Sequence, residues 1–549
     1  MKRPAHAHVA SVVGTCFLLA SVSCRAQQEH AAEHFGSAHL ATSCSADTQP
    51  QFDRAVAMLH SFFFPETVKA FTAIAAAEPA CAMAYWGIAM SQRPNPLVPP
   101  FSTELLQAGW QAIQKARAAN APTERERDWI EAVAFFYEGY DTVDQKTRTA
   151  RYERAMGNLH QRYPDDSEIA VFYALALNEA VDLTDKTYYR QLKAAAILEP
   201  LAQQLPDHPG IAHLIIHSYD YAPIAARGLP AARRYAALAP SAPHALHMPS
   251  HIFSTLGMWH EAIAADLASD AATKAYAARS ATASANAAAN PARYHSLDFL
   301  MNAYLQLGQD KQAKAIVDER NSVSQLPGDY RLSGHTAFAA IPVRYSIERG
   351  EWAEAAALGA APSPYPQAQA ITSFGRALGA ARSGDPAAAR RSLAELAPLR
   401  AKLVAANETY WAGQVDIYTL AAEAWISMAE GRPRKAITSM RAAADREDHE
   451  EKNVAMENRL SPMRELLGEL LLEARQPAQA QREFTASLQI VPNRFRSLAG
   501  AARAAVLLKH EEDARAYYER LLALTQDADT ERPAMLAARE YLAKRASRP

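Results

Sequence analysis

The sequence lacks the motifs that mark several common kinds of enzyme. Its 549 residues include only 21 glycines, and we find no phosphate-binding glycine loop, dinucleotide fingerprint or nucleophile elbow. The zinc-protease helix motif is also missing, because His260-Glu261 has no second histidine four residues after the first. No stretch alternates between apolar and polar residues as a half-buried strand would. The chain therefore has no established catalytic motif and no predicted sheet.

A strong excess of charge is absent too. The 57 basic and 59 acidic residues give a formal net charge of −2. We find no long basic run and no basic-aromatic stripe, so nucleic acid is not an expected partner. Beyond the N-terminus, no apolar segment is long enough to span a membrane. Membrane contact is expected only through the N-terminal segment or a lipid attached to it.

The N-terminal segment has the order of a secretory signal. Lys2 and Arg3 precede an apolar stretch over residues 9–20, and small residues follow around Cys24. This pattern predicts a signal peptide over residues 1–26 and export to the periplasm or the cell surface. Lipidation at Cys24, as in a lipoprotein, is an alternative that the sequence leaves open. Residues 27–48 are polar and are predicted to form an extended leader.

Cysteine is scarce, and its use agrees with export. Of four cysteines, only Cys44 and Cys81 lie outside the predicted signal peptide. An even pair in an oxidising compartment predicts a disulfide between them. Two free, buried thiols are the alternative.

Helical periodicity dominates the chain from Gln49 onward, and its turns repeat. Successive turn glycines are each followed five residues later by an alanine, at Gly257/Ala262, Gly308/Ala313, Gly350/Ala355, Gly384/Ala389 and Gly431/Ala436. Arg475 and Lys509 take the place of the glycine in two further turns. Glycine closes a short turn between antiparallel helices, and a small alanine lets the two helices approach closely. A charged connection over residues 445–461 interrupts the pattern and is predicted to be exposed to solvent.

A helix-turn-helix unit of about 34 residues with these features resembles the tetratricopeptide repeat. The resemblance implies an all-α fold, a right-handed α-solenoid over residues 49–545. It also implies that the first helix of each repeat lines a concave groove that binds a partner. Residues 81–90, 247–253 (HMPSHIF) and 492–496 further resemble a group of exported bacterial tetratricopeptide proteins. That narrower resemblance implies fold and export and supplies no reaction.

Histidines are concentrated near the middle of the chain and occur in register with the repeat. Pro209 and Pro243 are 34 residues apart, and histidines follow each proline by four and eight residues, at His213, His217, His247 and His251. Polar residues also stand 13, 10 and 6 residues before Gly257 and Gly308, at His244, His247, His251, His295, Asp298 and Asn302. The same offset of 6 before Gly350 falls on Arg344. Three or four consecutive helices are therefore predicted to present these side chains to one groove.

Imidazole and carboxylate are ligands that suit zinc, copper, nickel or iron. We predict a divalent metal ion, with zinc foremost, held by His213, His217, His247 and His251. We predict a ligand-binding role for His244, His295, Asp298, Asn302 and Arg344. Arg344 has the bidentate fork that binds carboxylate or phosphate. Asp298 is a candidate general base.

Several alternatives remain at this stage. Histidines lining a repeat groove can instead hydrogen-bond a peptide or join neighbouring helices. For Arg344, the alternative is a salt bridge to Asp298 or Glu348. The leading functional hypothesis is an exported binding scaffold whose groove takes a protein or peptide, a small anionic ligand or a metal ion. The second hypothesis is a metal-dependent hydrolase that uses the same histidines, and the third is a structural adaptor of the cell envelope.

Overall fold

The computed structural model describes residues 33–279, 290–326, 332–360, 362–456 and 459–546. The chain divides into a unit of residues 1–33 and a compact unit of residues 34–549, which contains every helix of the described chain. The predicted signal peptide, residues 1–26, lies outside the described residues, as does the first part of the predicted leader.

The described chain is helical, and no strand occurs within it. The α-helices run over Gln49–His60, Phe64–Ala77, Ala82–Ser91, Thr103–Ala118, Glu124–Tyr137, Gln145–Arg162, Ser167–Glu179, Tyr189–Gln204, Pro209–Tyr219, Leu229–Leu238, Pro243–His247, Pro249–Thr255, Trp259–Arg279, Pro291–Gln306, Asp310–Asn321, Leu332–Arg349, Trp352–Ala356, Pro366–Arg382, Pro386–Ala394, Leu396–Ala405, Thr409–Ala429, Pro433–Asp448, Met463–Glu473, Pro477–Ile490, Phe495–Leu508, Glu511–Leu524 and Pro533–Ala546. A short 3-10 turn occupies Ala225–Gly228. Most helices pack on the next helix along the chain, and first helices of successive repeats also pack together. The predicted all-α solenoid of tetratricopeptide-like repeats is therefore confirmed.

The repeated turn is the feature that builds this array. Gly257 adopts a φ of 67°, in the left-handed region that glycine enters without steric cost. Arg475 and Lys509, predicted to replace the glycine, adopt the same left-handed conformation with φ of 58° and 61°. The alanines five residues after the turn positions are completely buried, at Ala262, Ala313, Ala355, Ala389, Ala436, Ala480 and Ala514. The small side chain therefore lies at the point where the two helices of each pair meet.

A covalent cross-link joins the segment before the first helix to the N-cap of the third helix, Ala82–Ser91. Cys44 and Cys81 form a disulfide with their Cα atoms 5.0 Å apart, as the sequence predicted. The preceding residues run without helix, and Phe35 and Leu40 are buried against the core. None of the described helices is both long and apolar enough to cross a membrane.

The connection over residues 445–461 is exposed only in part: Asp445, Arg446, Asp448 and His449 are exposed as predicted, but the described residues from 451 onward are buried or half-buried, against the prediction. Ala455, Met456 and Leu460 are buried, and Lys452 reaches inward to place its Nζ 2.8 Å from Asp220 Oδ2. The apolar residues within this charged stretch pack between the central and C-terminal helices. Glu451 and Lys452 pair with Lys186 and Asp220, far along the chain, and the local sequence does not reveal these partners. Asp445 and Asp448 pair with nearby Arg464.

Candidate functional site

Three consecutive first helices of the array carry the central histidines. Pro209–Tyr219 carries His213 and His217. The first helix of the next repeat is interrupted at Met248 and consists of Pro243–His247 and Pro249–Thr255. Pro291–Gln306 follows. Side chains four residues apart lie on one face of a helix, so each helix presents its histidines to its neighbour.

The first group, which we call triad 1, consists of His213, His217 and His244. The Nε2 atom of His213 lies 3.1 Å from Nε2 of His217 and 3.1 Å from Nε2 of His244. One ligand atom from each of the three residues lies within 4.8 Å of the others. His213 and His217 are buried, and His244 is partly buried.

The second group, triad 2, consists of His247, His251 and His295. The Nε2 atoms of His247 and His251 lie 3.1 Å apart. The ring centroid of His295 lies 4.8 Å from that of His247 and 5.5 Å from that of His251. All three are buried, and the Nδ1 atom of His295 has no hydrogen-bond partner among the described residues.

Burial keeps these imidazoles neutral. It lowers the pKa of His213 and of His247 to about 3. Burial also holds the pKa of His217, His244, His251 and His295 well below the usual value, and neighbouring histidines add to the effect. A neutral imidazole offers a lone pair on whichever nitrogen lacks the proton, and that nitrogen is the one that binds metals.

Hydrogen bonds at Nδ1 determine which nitrogen lacks the proton. The Nδ1 atom of His213 lies 2.6 Å from the carbonyl oxygen of His60. A carbonyl oxygen only accepts, so Nδ1 of His213 carries the proton and its Nε2 carries the lone pair. The lone pair therefore points toward His217 and His244.

His251 is oriented by a carboxylate in the same manner. Its Nδ1 lies 2.8 Å from Oδ2 of Asp220, which also accepts from Lys452 at 2.8 Å. The hydroxyl of Thr255 donates to the other oxygen of Asp220 at 3.2 Å. With the carboxylate paired to a lysine, His251 donates from Nδ1 and directs its Nε2 lone pair at His247.

His247 contacts a second carboxylate. Its Nδ1 lies 2.6 Å from Oδ1 of Asp266, and the hydroxyl of Ser250 donates to the same oxygen at 3.1 Å. Burial raises the pKa of Asp266 well above its usual value, so a neutral carboxyl can share its proton with Nδ1. A cation at Nε2 would favour the proton on Nδ1 and the ionised carboxylate, the arrangement common behind metal-binding histidines.

A third cluster supports triad 1 from behind. Glu168 accepts from Nε2 of His60 at 2.8 Å and from Nε2 of His208 at 2.9 Å, and all three residues are buried. Burial alone would raise the pKa of Glu168, yet the two histidines hold that pKa below its usual value. The backbone carbonyl of the same His60 fixes His213. His208 is buried at the N-cap of Pro209–Tyr219, where it contacts Glu168.

A cavity of about 350 Å³ adjoins both triads. His244 of triad 1 and His247 and His295 of triad 2 line one wall. The remaining lining is largely aromatic and small-polar, including Phe62, Phe63, Phe64, Tyr276, Ser269 and Thr273. Among the described side chains that line it, only Lys69 carries a fixed charge. The ring of Phe62 stacks on His244 with centroids 5.3 Å apart.

Asp298, Asn302 and Arg344 are not among the residues that line this cavity. The guanidinium of Arg344 is fully buried and forms two hydrogen bonds with the carboxylate of Asp298, at 3.1 and 3.2 Å. This is the salt bridge that the sequence left open as the alternative for Arg344. Asn302 is buried and accepts from Gln306 at 3.1 Å. The structure thus brings together the histidines of the predicted site and directs its Asp, Asn and Arg members elsewhere.

The residues that contact and orient the histidines were not predicted from the sequence. Asp220 follows His217 by three residues, so it was within reach of the histidine pattern. Asp266 lies 19 residues after His247, on the following helix, and no local spacing marks it. His60 and Glu168 are more distant still, 153 and 45 residues before His213.

Comparisons with known proteins bear on the fold alone. No family model and no curated protein matches the sequence. Among solved structures, the chain is similar to a human IFIT1 dimer with m7Gppp-AAAA, at 10% identity and a TM-score of 0.35, over 85% of this chain and 90% of that one. A human IFIT1 dimer with PPP-AAAA is 10% identical with a TM-score of 0.36, and the similarity covers 86% of this chain and 89% of that one. A structure of Naa15/Naa10 bound to HypK-THB is 12% identical with a TM-score of 0.26, and the similarity covers 91% of this chain and 92% of that one. Similarity at this level supports no statement about ligands.

Proposed function

We propose that this protein is a solenoid scaffold that binds a divalent transition-metal ion at triad 2. The observation that carries the proposal is the 3.1 Å separation of the Nε2 atoms of His247 and His251. Zinc–nitrogen bonds of about 2.0–2.1 Å at a tetrahedral angle would place two ligand nitrogens about 3.3–3.4 Å apart. The two imidazoles are therefore spaced and aimed almost as ligands of one ion.

The contacts behind the imidazoles support the same proposal. Asp220 and Asp266 each contact the Nδ1 atom of one histidine, on the side away from the other histidine. When both Nδ1 atoms carry protons, two lone pairs face each other across 3.1 Å, and a cation between them removes the repulsion. Carboxylates in this position orient the ring and raise the basicity of the ligand nitrogen.

Zinc is the ion that we propose first, because neutral imidazoles suit it and a three-histidine set leaves a fourth position open. Copper, nickel and iron also bind imidazole, so the ligand set alone does not select among them. Binding experiments with each ion in turn would rank them.

We further propose that the protein acts outside the cytoplasm, in the periplasm or at the cell surface. The disulfide between Cys44 and Cys81 supports this location, because such bonds persist in oxidising compartments. The N-terminal sequence supports it independently.

A metal-dependent hydrolase is the second candidate function, and the cavity is the observation that favours it. Three imidazoles with an open position are typical of catalytic rather than structural zinc. His247 and His295 both border the cavity, so a bound ion would meet a small molecule there. Bound zinc would supply a water of lowered pKa as the nucleophile. Asp298 is not retained as the base, because it is paired with Arg344 away from the cavity.

A protein or peptide partner and a purely structural role in the cell envelope both stay predictions. The groove that the repeat pattern predicted to be open is covered in part by the chain itself. Arg344 donates to the carbonyl oxygen of Arg459, and Arg496 donates to the carbonyl oxygen of Ile347. We therefore place the proposed ligand in the cavity rather than in that groove.

The test is zinc binding to full-length protein stripped of metal with a chelator. We expect saturable binding by calorimetry and a rise in melting temperature, because a ligand at 100 times its Kd stabilises the native state by about 2.7 kcal/mol. The matched control removes two exposed histidines, His260→Gln with His510→Gln, and should bind like the native protein. If native protein neither binds zinc, copper, nickel or iron nor changes its melting temperature with them, the proposal is wrong.

A further inference from the structure

The two triads have the same construction, one repeat apart. In triad 1, His213 and His217 come from one first helix and His244 comes from the start of the next. In triad 2, His247 and His251 come from that next helix and His295 comes from the start of the one after it. His244 and His295 stand 13 residues before Gly257 and Gly308, so they occupy equivalent positions. The solenoid therefore builds one ligand set twice.

Their geometry agrees with this equivalence. The pair within each helix has its Nε2 atoms 3.1 Å apart, for His213 with His217 and for His247 with His251. In each pair the first histidine is held at Nδ1, by the carbonyl of His60 in triad 1 and by the carboxylate of Asp266 in triad 2. In each triad, the Nε2 atom of the first histidine of the pair has its direction set from outside the triad.

The triads are neighbours. The ring centroids of His217 and His251 lie 5.9 Å apart, and those of His244 and His247 lie 6.1 Å apart. These two contacts join the triads along their shared edge. His244 from triad 1 and His247 with His295 from triad 2 border the same cavity.

We propose that the protein holds a pair of metal ions, one in each triad, side by side at the wall of the cavity. The inference rests on the proposed function of triad 2 and adds a second ion in triad 1. Six imidazoles exceed the four ligands of one tetrahedral zinc ion, but they supply three for each of two ions. Each ion keeps one position open toward a ligand that enters the cavity.

The pair of ions defines the class of ligand. None of the six metal-binding side chains is a carboxylate, and the described lining of the cavity contains no acidic residue. Lys69 in the lining is paired with Glu66 at 2.7 Å, and Asp220 and Asp266 behind triad 2 offset part of the charge of two divalent cations, so the wall of the cavity stays net positive through the ions themselves. Two-metal sites clamp oxygen anions between the ions. The cavity therefore suits a small organic anion, a carboxylate or a phosphate ester, whose apolar part contacts Phe62, Phe63 and Phe64.

The two ions should differ in affinity. Two carboxylates, Asp220 and Asp266, stand behind triad 2, whereas His213 in triad 1 is held by a neutral carbonyl. A carboxylate at Nδ1 raises the basicity of the ligand nitrogen, and its loss costs about 10–100-fold in metal affinity. Triad 2 should fill first during a titration and triad 1 second.

Native mass spectrometry of the full chain, stripped of metal and then titrated with Zn²⁺, tests the pair. We expect two ions in native protein and one each in His213→Gln/His217→Gln and in His247→Gln/His251→Gln. The control His260→Gln/His510→Gln should keep two ions. With both sites filled, inorganic phosphate should bind, and either double variant should weaken that binding at least 10-fold.

The outcomes separate this inference from the proposed function. One ion in native protein, lost only when His247 and His251 are changed, overturns the pair and leaves the proposed function intact. Loss of all zinc in both double variants indicates one shared ion and also overturns the pair. No zinc in native protein overturns both proposals. If a double variant does not fold, the single variants His217→Ala and His295→Ala test the pair instead. Each should weaken the binding of one ion and leave the binding of the other unchanged.

Discussion

The Nε2 atoms of His247 and His251 face each other across 3.1 Å, while the Nδ1 atom of each ring contacts a different buried carboxylate. Without a metal, these contacts form a chain of hydrogen bonds: the neutral carboxyl of Asp266 donates to Nδ1 of His247, and Nε2 of His247 donates to Nε2 of His251. A cation between the two Nε2 atoms would replace the N–H···N hydrogen bond, with the Nε2 proton released and the proton of Asp266 moved to Nδ1.

Replacing Asp266 should weaken metal binding without changing the number of ions. In Asp266→Asn, the amide no longer carries the negative charge that supports the Nδ1 proton of His247. We expect zinc affinity at triad 2 to fall by about 10–100-fold. Competition with a chromophoric chelator measures the change. Asp318→Asn, at an exposed aspartate, is the matched control, and equal affinities in the two variants would contradict the role given to Asp266.

Glu168→Gln should destabilise the protein while sparing triad 2. The amide nitrogen of glutamine donates and cannot accept, so His60 or His208 loses its acceptor in a buried site. Leaving a buried donor without a partner costs about 1–3 kcal/mol of unfolding free energy. Urea denaturation of metal-free protein measures the loss. Unchanged stability would mean that water replaces the carboxylate, and Glu261→Gln, on a surface helix, serves as the control.

Stability should fall with acid through Glu348. Burial would raise the pKa of this carboxyl, but Arg494, with Arg496 nearby, lowers it to about 2 from an ordinary 4.5. Since the folded-state pKa is depressed, the contribution is complete above about pH 4.5 and is lost as pH falls through about 2.

The comparison of native protein with Glu348→Gln isolates this contribution. The free energy of unfolding should differ between the two near pH 7, and the difference should shrink steadily below pH 4.5. Circular dichroism with urea at several pH values measures it. A difference that stays constant down to pH 2.5 would show that the carboxyl of Glu348 is not ionised through its contact with Arg494.

Removing the disulfide should lower stability without affecting metal content. The cross-link between Cys44 and Cys81 closes a loop with a sequence separation of 37. In the chain-entropy model, such a loop stabilises the folded state by about 4 kcal/mol. Cys44→Ser with Cys81→Ser should therefore unfold at lower urea and still bind zinc. A thiol assay that finds both cysteines free in protein taken from an oxidising compartment would contradict the cross-link.

Much of the fold follows from local sequence. The turn positions, the buried alanines five residues later and the disulfide could all be predicted, because each depends on residues a few positions apart or on a single pair. The sequence also showed that His244 is equivalent to His295, and that His213 and His217 are equivalent to His247 and His251. Residues at the same offset in successive repeats occupy equivalent positions in the solenoid. The sequence alone thus determined that these imidazoles meet.

The tertiary structure decided how they meet and what surrounds them. The directions of the side chains group the histidines into two triads instead of one mixed site. The carboxylates of Asp220 and Asp266 reach the histidines because of which helices become neighbours. Arg344 pairs with Asp298 on the neighbouring helix and donates to the carbonyl oxygen of Arg459, so the chain itself occupies this part of the groove that the repeat pattern predicted to be open. These contacts join residues 19 to 115 positions apart and have no local signature, so packing alone determines them.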